Sequence, residues 1–178
     1  MRNKAMPCIE TQRLILRPFE WSDLEALFAL NSDPEVMRYI GEGKVLSKEE
    51  TAIRVTSIIG HWEKHGFGLW AAMHKEQGEF TGFCGLMYLD NTLEIEVGYR
   101  LAKSYWRMGL ATEGAKASLD YGFDKLKLDR IVAVAQPGNI ASERVLEKVG
   151  LRYEKDARYY NSDVRYYSIM RNDYCSQF

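Results

Sequence analysis

Cysteine is scarce in this chain of 178 residues, and its three copies lie far apart, at Cys8, Cys84 and Cys175. An odd number at such spacing fits neither a disulfide framework nor a cysteine metal motif, so we predict three reduced thiols. The three histidines form no His-Glu-x-x-His pattern, the helical zinc motif. We therefore expect no bound metal.

Long apolar runs and an excess of either charge are also missing. No stretch reaches the roughly 18 apolar residues that cross a bilayer, and no apolar core of a signal peptide follows the N-terminal residues 1–4. The formal net charge is −1, and lysine and arginine do not cluster, which disfavours nucleic acid as a partner. We expect no membrane association and a location in the cytoplasm.

Hydrophobic residues make up 46% of the chain, enough for the core of one domain, which we predict over residues 9–172. Apolar periodicity and turn signals predict the order β-α-α-β-β-β-α-β-α-β-β. This order is typical of a mixed α/β fold with a mixed sheet and helices on both faces. The predicted strands cover residues 9–18, 68–74, 80–89, 93–101, 130–135, 151–159 and 164–171.

Capping boxes predict where the first two helices begin. Ser22-x-x-Glu25 opens the first helix, which should end near Asp33-Pro34 because the residue before proline disfavours the helical region. Ser47-x-x-Glu50 opens the second helix. A third helix is predicted from residue 109 to about residue 126, and a fourth over residues 139–149.

The fourth predicted strand, residues 93–101, follows a tight turn predicted at Asp90-Asn91. Side chains alternate between the two faces of a strand, so this strand separates an apolar set from a polar one. The apolar face carries Leu93, Ile95, Val97 and Tyr99, and the polar face carries Glu94, Glu96, Gly98 and Arg100.

The segment 105–113, Tyr-Trp-Arg-Met-Gly-Leu-Ala-Thr-Glu, joins this strand to the third helix. The first turn of a helix offers unpaired N–H groups and the positive end of the helix dipole, and Gly109 and Ala111 would let a pyrophosphate approach them. The same residues also fit a helix start whose small side chains serve packing. No Gly-x-x-x-x-Gly-Lys-Ser/Thr or Gly-x-Gly-x-x-Gly motif offers another nucleotide site.

A second motif begins at Asn139-x-x-Ser142 and continues with residues 146–151, Leu-Glu-Lys-Val-Gly-Leu. Together with residues 106–113, this motif resembles the GNAT superfamily of N-acetyltransferases. The segments Glu96-Val97-Gly98-Tyr99 and 11–17, Thr-Gln-Arg-Leu-Ile-Leu-Arg, resemble the branch that includes the ribosomal-protein N-terminal alanine acetyltransferases. The four motifs occur in the order found in that family.

The resemblance implies that the sheet is splayed between its fourth and fifth strands, residues 93–101 and 130–135, and that acetyl-CoA lies in this wedge. Asn139 would bond the pantetheine arm. The backbone of Val97, Tyr99 and Leu101 would pair with pantetheine, and the amides of Arg107, Met108, Gly109, Leu110, Ala111 and Thr112 would meet the pyrophosphate. The chain departs from many members at Trp106, where they carry Gln or Arg, and at Leu146, where they carry the tyrosine that protonates the leaving thiolate.

Acetyl transfer to an amine needs a base, an acid for the thiolate and a polarised thioester. Glu96 stands where the family places a carboxylate, and we predict it as the base, acting through water; a solvated strand face is the alternative. Glu94 could raise its pKa, and the N–H near Val97 could polarise the carbonyl. Ser142 is the candidate acid, unless it only completes the first turn of a helix capped by Asn139.

The resemblance implies an acyl-CoA-dependent N-acetyltransferase in which the amine attacks directly within a ternary complex. An α-amine, with a pKa of about 7.7–8.0, needs a weaker base than a lysine at about 10.4, and we predict a protein or peptide N-terminus as the acceptor. A small-molecule amine and a non-catalytic acyl-CoA-binding protein are the alternatives. A homodimer is compatible with the aromatic C-terminal strands, whose tyrosines, Tyr160 among them, we assign to packing or to the pocket wall.

Overall fold

Eight strands form one mixed sheet in the computed structural model, which describes residues 6–176. Residues 1–4, on which the expectation of no signal peptide depends, lie outside this range. No helix within the described range has the length and apolar character needed to cross a membrane. The mixed α/β fold predicted from the sequence is confirmed, and it differs from the prediction in several local details.

The strands and helices are numbered in chain order. The strands are β1 Ile9–Glu10, β2 Leu14–Pro18, β3 Leu69–His74, β4 Phe80–Tyr88, β5 Ile95–Leu101, β6 Arg130–Ala135, β7 Arg152–Tyr159 and β8 Ser162–Met170. The α-helices are α1 Leu24–Asn31, α2 Pro34–Met37, α3 Lys48–His65, α4 Leu110–Asp120, α5 Ile140–Lys148 and α6 Arg171–Cys175. Short 3₁₀ turns at Trp21–Asp23 and Lys103–Tyr105 and a π-helical turn at Tyr121–Lys125 complete the order.

The sheet has the order β1-β2-β3-β4-β5-β6-β8-β7. Neighbouring strands are antiparallel except β5 and β6, which are parallel and pair only at Glu96 and Val132. In contrast, all seven residues of β5 pair with β4, from Gly82–Leu101 to Tyr88–Ile95. Beyond the single pair the two parallel strands diverge, as the resemblance implies for the fourth and fifth predicted strands.

Helices cover both faces of the sheet, and alternate residues of β4 separate the two cores. Phe83 packs in a cluster with residues of α1 and α3, including Leu27 and Val55. Leu86, on the opposite face, packs with α4 and α5 residues such as Leu119. Val97 of β5 belongs to this second cluster, so the other side-chain face of β5, which carries Glu96, Gly98 and Arg100, is on the α1–α3 side.

Two local predictions about strands are wrong, and the predicted tight turn is confirmed within a longer loop. Residues 9–18 form two short strands rather than one, because Thr11 turns the chain: its N–H donates to the Leu14 carbonyl and its hydroxyl accepts from the Leu14 N–H. The turn at Asp90-Asn91 is closed by the Thr92 N–H donating to the Leu89 carbonyl at 2.9 Å, and it lies in a loop over residues 89–94. Leu93, assigned to the apolar face, lies in this loop and is 90% exposed.

The first capping box is also wrong, whereas the second is confirmed. The turn that leads into α1 is closed by Asp23, whose carboxylate accepts from the Glu20 N–H at 2.8 Å, and Ser22 caps no amide. At α3, Ser47 Oγ accepts from the Glu50 N–H at 3.1 Å and the Glu50 carboxylate accepts from the Ser47 N–H at 2.7 Å. Two short helices, α2 and α6, have no counterpart in the predicted order.

The two serines give a matched test of this difference. We expect Ser47→Ala to lower the free energy of unfolding by about 1 kcal/mol, because the Glu50 N–H at the start of α3 loses its side-chain acceptor. Ser22→Ala should change it by less than about 0.5 kcal/mol, since the exposed Ser22 bonds only the Glu20 side chain. Urea denaturation of both variants measures the two values, and equal effects would contradict the structural assignment.

Candidate active site

The divergence of β5 from β6 opens a cavity of about 1390 Å³. Its walls come from β5, the segment 105–112, the first turn of α5, the α2–α3 loop and the β7–β8 turn. The residues predicted for the site are far apart in sequence, yet all of them line this one cavity: Glu96, Val97, Tyr99, Leu101, Arg107, Met108, Gly109, Leu110, Ala111, Thr112, Asn139 and Ser142.

Strand β5 directs alternate peptide groups into this cavity. The Leu89 N–H donates to the Glu94 carbonyl, and the Ala102 N–H donates to the Thr81 carbonyl, so the even-numbered residues of β5 form the hydrogen-bonded pairs with β4. The peptide groups of the odd-numbered residues therefore point toward β6. Past the last paired position, at Glu96, those of Tyr99 and Leu101 have no β6 partner in the described chain.

One of these peptide groups is already engaged. The indole N–H of Trp106 donates to the Leu101 carbonyl at 2.8 Å. Trp106, which the sequence marked as a departure from Gln or Arg, thus closes the far end of β5. The Leu101 N–H and the peptide groups of Tyr99 stay open to the cavity, and the sequence pattern gave no signal of this contact.

Helix α4 starts without a side-chain cap. Helices α2, α3 and α5 are capped by Asp33, Ser47 and Asn139, whereas the N-cap of α4 is Gly109, with φ +78° and no side-chain acceptor. Arg107, two residues earlier, also has a positive φ, +62°. Left-handed residues in alternation with right-handed ones turn successive N–H groups toward one side, which makes an anion-binding concavity. The first-turn amides of α4 therefore face the cavity without an internal acceptor.

The acidic residue in the first turn of α4 serves a different purpose. The Glu113 carboxylate accepts from the Thr11 hydroxyl at 2.6 Å and pairs with Arg13 Nε at 2.7 Å. Arg13 Nη1 in turn donates to the Met108 carbonyl at 2.7 Å. The β1–β2 turn therefore holds the bend at residues 106–109 in place and keeps the Glu113 charge away from the amides.

The first turn of α5 brings Ser142 to Tyr99. Asn139 Oδ1 accepts from the Ser142 N–H at 3.3 Å, which confirms the predicted cap, and the Asn139 side-chain nitrogen has no partner among residues 6–176. The hydroxyl oxygens of Ser142 and Tyr99 are 3.0 Å apart. Leu146 is 1% exposed and packs in the core, so the tyrosine that many family members carry there has no substitute at that position.

Glu96 is a buried carboxylate in the cavity wall. It is 6% exposed, and burial together with the charge of Asp90 raises its pKa to about 7. The hydroxyl of Tyr160 donates to Glu96 and opposes this rise. Glu94, which we expected to perturb Glu96, instead accepts from the Tyr166 hydroxyl at 2.5 Å and pairs with Arg130 at 3.4 Å. A carboxyl group with a pKa near neutrality is suited to accept a proton.

Tyr160 is a functional candidate that sequence reasoning assigned only to packing or the pocket wall. It occupies the two-residue turn between β7 and β8 with φ +53°, and Asn161 follows with φ +58°. A bulky residue with positive φ is strained, and here the strain is offset by a reciprocal contact. The Tyr160 N–H donates to Asp90 Oδ2, and the Asp90 N–H donates to the Tyr160 hydroxyl, both at 3.0 Å.

The α2–α3 loop also lines the cavity, and it contacts the start of β8. The Gly41 carbonyl accepts from the Ser162 hydroxyl at 2.6 Å and from the side-chain amide of Gln136. Three aromatic residues of the N-terminal half, Trp21, Tyr39 and Trp70, are candidates from the sequence for the wall of the acceptor pocket, and among them Tyr39 lines the cavity. Trp21 is 55% exposed, and Trp70 is fully buried in the core.

The described residues contain no cluster of three or more His, Cys, Asp or Glu side chains that could hold a metal ion. The three cysteines in this part of the chain are free thiols.

Comparison with known proteins agrees with this geometry. A family model described as the GNAT acetyltransferase domain matches residues 13–152. The Bacillus subtilis protein YkkB is 38% identical over 160 residues, which cover 88% of this chain and 92% of the relative. A crystal structure of a GNAT-family acetyltransferase from Bacillus anthracis has a TM-score of 0.80 and 32% identity, covering 93% of this chain and 99% of that one.

The chain belongs to the GNAT acetyltransferases, enzymes that transfer an acetyl group from acetyl-CoA to an amine. The ribosomal-protein acetyltransferase RimL, in complex with coenzyme A, shares the fold with a TM-score of 0.78 over 92% of this chain and 98% of that one. Its identity of 20% makes this a likeness of fold alone. The resemblance to the GNAT superfamily stated from the motifs is thereby confirmed, and a ribosomal-protein acetyltransferase is among the proteins that share its fold.

The raised pKa of Glu96 predicts a pH-dependent cost to stability. The folded state holds the proton up to about pH 7, whereas an unfolded glutamate releases it near 4.5, so the folded state loses stability as pH rises between these values. Relative to the wild type, Glu96→Gln should gain up to about 3 kcal/mol across this window. Urea denaturation at pH 5 and pH 8 measures the change.

The exposed Glu76 provides the control for this measurement. Glu76→Gln should leave the pH dependence of unfolding as it is in the wild type. If Glu96→Gln behaves the same way as Glu76→Gln, Glu96 is not buried in an environment that disfavours its charge.

Proposed function

We propose that this protein acetylates a primary amine in a ternary complex, with acetyl-CoA lying along β5 and its pyrophosphate on the first turn of α4. The observation that carries the proposal is the presence of three features in one cavity: an open strand edge, uncapped helix amides and a buried carboxylate. We further propose residues 9–172 as the catalytic domain and the cytoplasm as its location.

The residues that would hold acetyl-CoA fit a long ligand with an anionic end. The peptide groups of Val97, Tyr99 and Leu101 point toward the gap between β5 and β6 and would pair with the amides of pantetheine. The free side-chain nitrogen of Asn139 would donate to the same arm. Acetyl-CoA supplies the activated acetyl group, and the amides of Arg107, Met108, Gly109, Leu110, Ala111 and Thr112 would bind its diphosphate.

Glu96 would act as the general base. Its pKa of about 7 lies close to that of an α-amine, so one proton can pass from the ammonium group to the carboxylate, directly or through water, at neutral pH. Tyr160 is a positioning residue, because its hydroxyl bonds the Glu96 carboxylate and is itself fixed by Asp90. A structural role alone would not explain a carboxylate whose burial costs stability.

Ser142 would return a proton to the thiolate. Its hydroxyl contacts that of Tyr99 at 3.0 Å, which would orient it in the cavity, and the proton that the attacking nitrogen loses as the amide forms would restore the serine, directly or through water. The helix cap does not compete with this role, because the cap uses the Ser142 N–H rather than the hydroxyl. We propose a protein or peptide N-terminus as the acceptor, and a small-molecule amine is the second candidate.

Replacement of Gly109 tests the diphosphate site. Gly109→Ala places a Cβ at the open face of the amides, where only Arg13 Nη2 lies within 4 Å, at 3.4 Å. We expect the affinity for coenzyme A to fall about tenfold or more, because at least one charge-assisted hydrogen bond is lost. Isothermal titration calorimetry with coenzyme A measures the change.

Gly66 is the matched control, since it ends α3 with φ +74° and its added Cβ would meet nothing within 4 Å. Gly66→Ala should cost a similar amount of stability, about 1–2 kcal/mol, and leave the affinity for coenzyme A unchanged. Equal affinities for the Gly109 and Gly66 variants would refute the diphosphate site.

The pH dependence of turnover tests the base. Turnover should rise with pH through about 7 as Glu96 loses its proton, and Glu96→Gln should lower kcat by about 10²–10⁴-fold while coenzyme A still binds. Tyr160→Phe removes a hydrogen bond that lowers the pKa of Glu96, so the midpoint should move to higher pH. A thiol-detecting dye and a panel of amines measure both effects. An unshifted midpoint in Tyr160→Phe would show that Tyr160 does not position the base.

A further inference from the structure

Arg100 lines the cavity on the same side-chain face of β5 as Glu96, and its guanidinium contacts three uncharged side chains. Its Nη1 donates to Asn31 Oδ1 at 2.6 Å and lies 3.4 Å from Met37 Sδ. The guanidinium carbon lies 5.2 Å from the centre of the Phe83 ring, on the neighbouring strand. A neutral amide, a thioether and an aromatic ring therefore surround a full positive charge.

No carboxylate among residues 6–176 pairs with this guanidinium. The acidic residues that share the cavity wall are engaged elsewhere: Glu35 pairs with Lys103, Glu42 pairs with Lys44, and Glu50 caps α3. Arg100 Nε is buried and has no hydrogen-bond partner. Burial and the nearby charge of Arg54 lower the pKa of Arg100 to about 9, which still leaves the group charged at neutral pH.

A partly buried cation whose Nε is fully buried and which has no counter-ion is unfavourable, because desolvation of the charge is not compensated by pairing. A guanidinium offers a planar fork of donors that matches a carboxylate, so the missing partner is an anionic group of this kind. Arg54 is exposed and acts on Arg100 through its charge, so one guanidinium is left for direct pairing, which favours a carboxylate over a dianionic phosphate. Building on the proposed acetyl transfer, we propose that Arg100 binds a carboxylate of the acceptor, which is therefore an amine that also carries a carboxylate.

The surface of β5 between Glu96 and Arg100 carries no side chain that would block a ligand. Gly98 lies between Glu96 and Arg100 on the same face, and a Cβ added there would meet nothing within 4 Å. Residues four apart on a strand are separated by roughly 13 Å. After one hydrogen-bond contact at each end, roughly 7 Å remains between the amine and the carboxylate. A dipeptide or a γ-amino acid spans this distance, whereas the two groups of a single α-amino acid are closer together.

Paired acceptors with and without the carboxylate give the test. The wild type should acetylate glycylglycine with a kcat/KM about 10- to 100-fold higher than glycylglycinamide, because only the first offers a charged partner to Arg100. Arg100→Gln should remove this preference by raising the KM for glycylglycine, with little change for the amide. The ratio of kcat/KM for the two acceptors is taken within one variant, so a lower fraction of folded protein affects both values equally and does not change the ratio.

Arg54 supplies the matched control, because it is an exposed arginine that lines the same cavity. Arg54→Gln should keep the preference for glycylglycine, which separates a specific contact from the general field of the pocket. Aminopropyl phosphate should be a poorer acceptor than γ-aminobutyrate, and the opposite order would overturn the choice of a carboxylate.

Three outcomes separate the failure of this inference from the failure of the proposed function. Equal wild-type rates with glycylglycine and its amide, or a preference that survives Arg100→Gln, overturn the role of Arg100 while acetyl transfer stands. If no amine is acetylated and coenzyme A does not bind, the proposed function fails. If coenzyme A binds but none of these amines is acetylated, calorimetry measures the affinity of each variant for glycylglycine. A lower affinity in Arg100→Gln than in the wild type supports the role of Arg100, and equal affinities overturn it.

Discussion

The active site depends on one feature of the sheet, the separation of β5 from β6 after a single pair at Glu96 and Val132. Because β4 holds β5 along its full length, β5 cannot shift to satisfy its other edge. Backbone groups at that edge must find another partner, which is water or a ligand with amides of its own. The same divergence opens the cavity into which the first-turn amides of α4 point. The proposed cofactor site is therefore a consequence of how the sheet is built.

Local sequence signals predicted the elements whose limits depend on nearby residues. The Ser47 capping box, the bounds of β6 at residues 130–135 and the Asn139 cap of α5 are all set within a few residues, and each was predicted from its own segment. The Ser22 box failed because Asp23 is held instead by Arg17 of β2, with oxygen and nitrogen 2.6 Å apart. The capping pattern alone does not show that an arginine on a neighbouring strand binds Asp23 and thereby determines where the turn begins.

The same limit explains the candidate site. Its backbone part lies in two continuous motifs, so sequence comparison with a family could assign it. The side chains that tune it come from distant segments: Tyr160 lies 64 residues from Glu96, and Arg13 lies 95 residues from Met108, whose carbonyl it holds. Only the order of the strands in the sheet brings these pairs together, and that order is not a local property. Leu93 failed for a related reason, since alternation alone does not tell where a strand begins.

Three unfavourable features occur together in this cavity, although each could have been avoided by a conservative change. Glu96 is buried with a raised pKa, Tyr160 has a strained backbone, and Arg100 has no carboxylate partner. Elsewhere the chain pairs its partly buried charges, as Arg17 does with Asp23 and Arg13 with Glu113. Such a group of costs around one cavity is expected where ligands complete the missing contacts, because ligand binding returns stability to the folded state. These three residues therefore support the same site as the backbone geometry, by an argument that does not use the family.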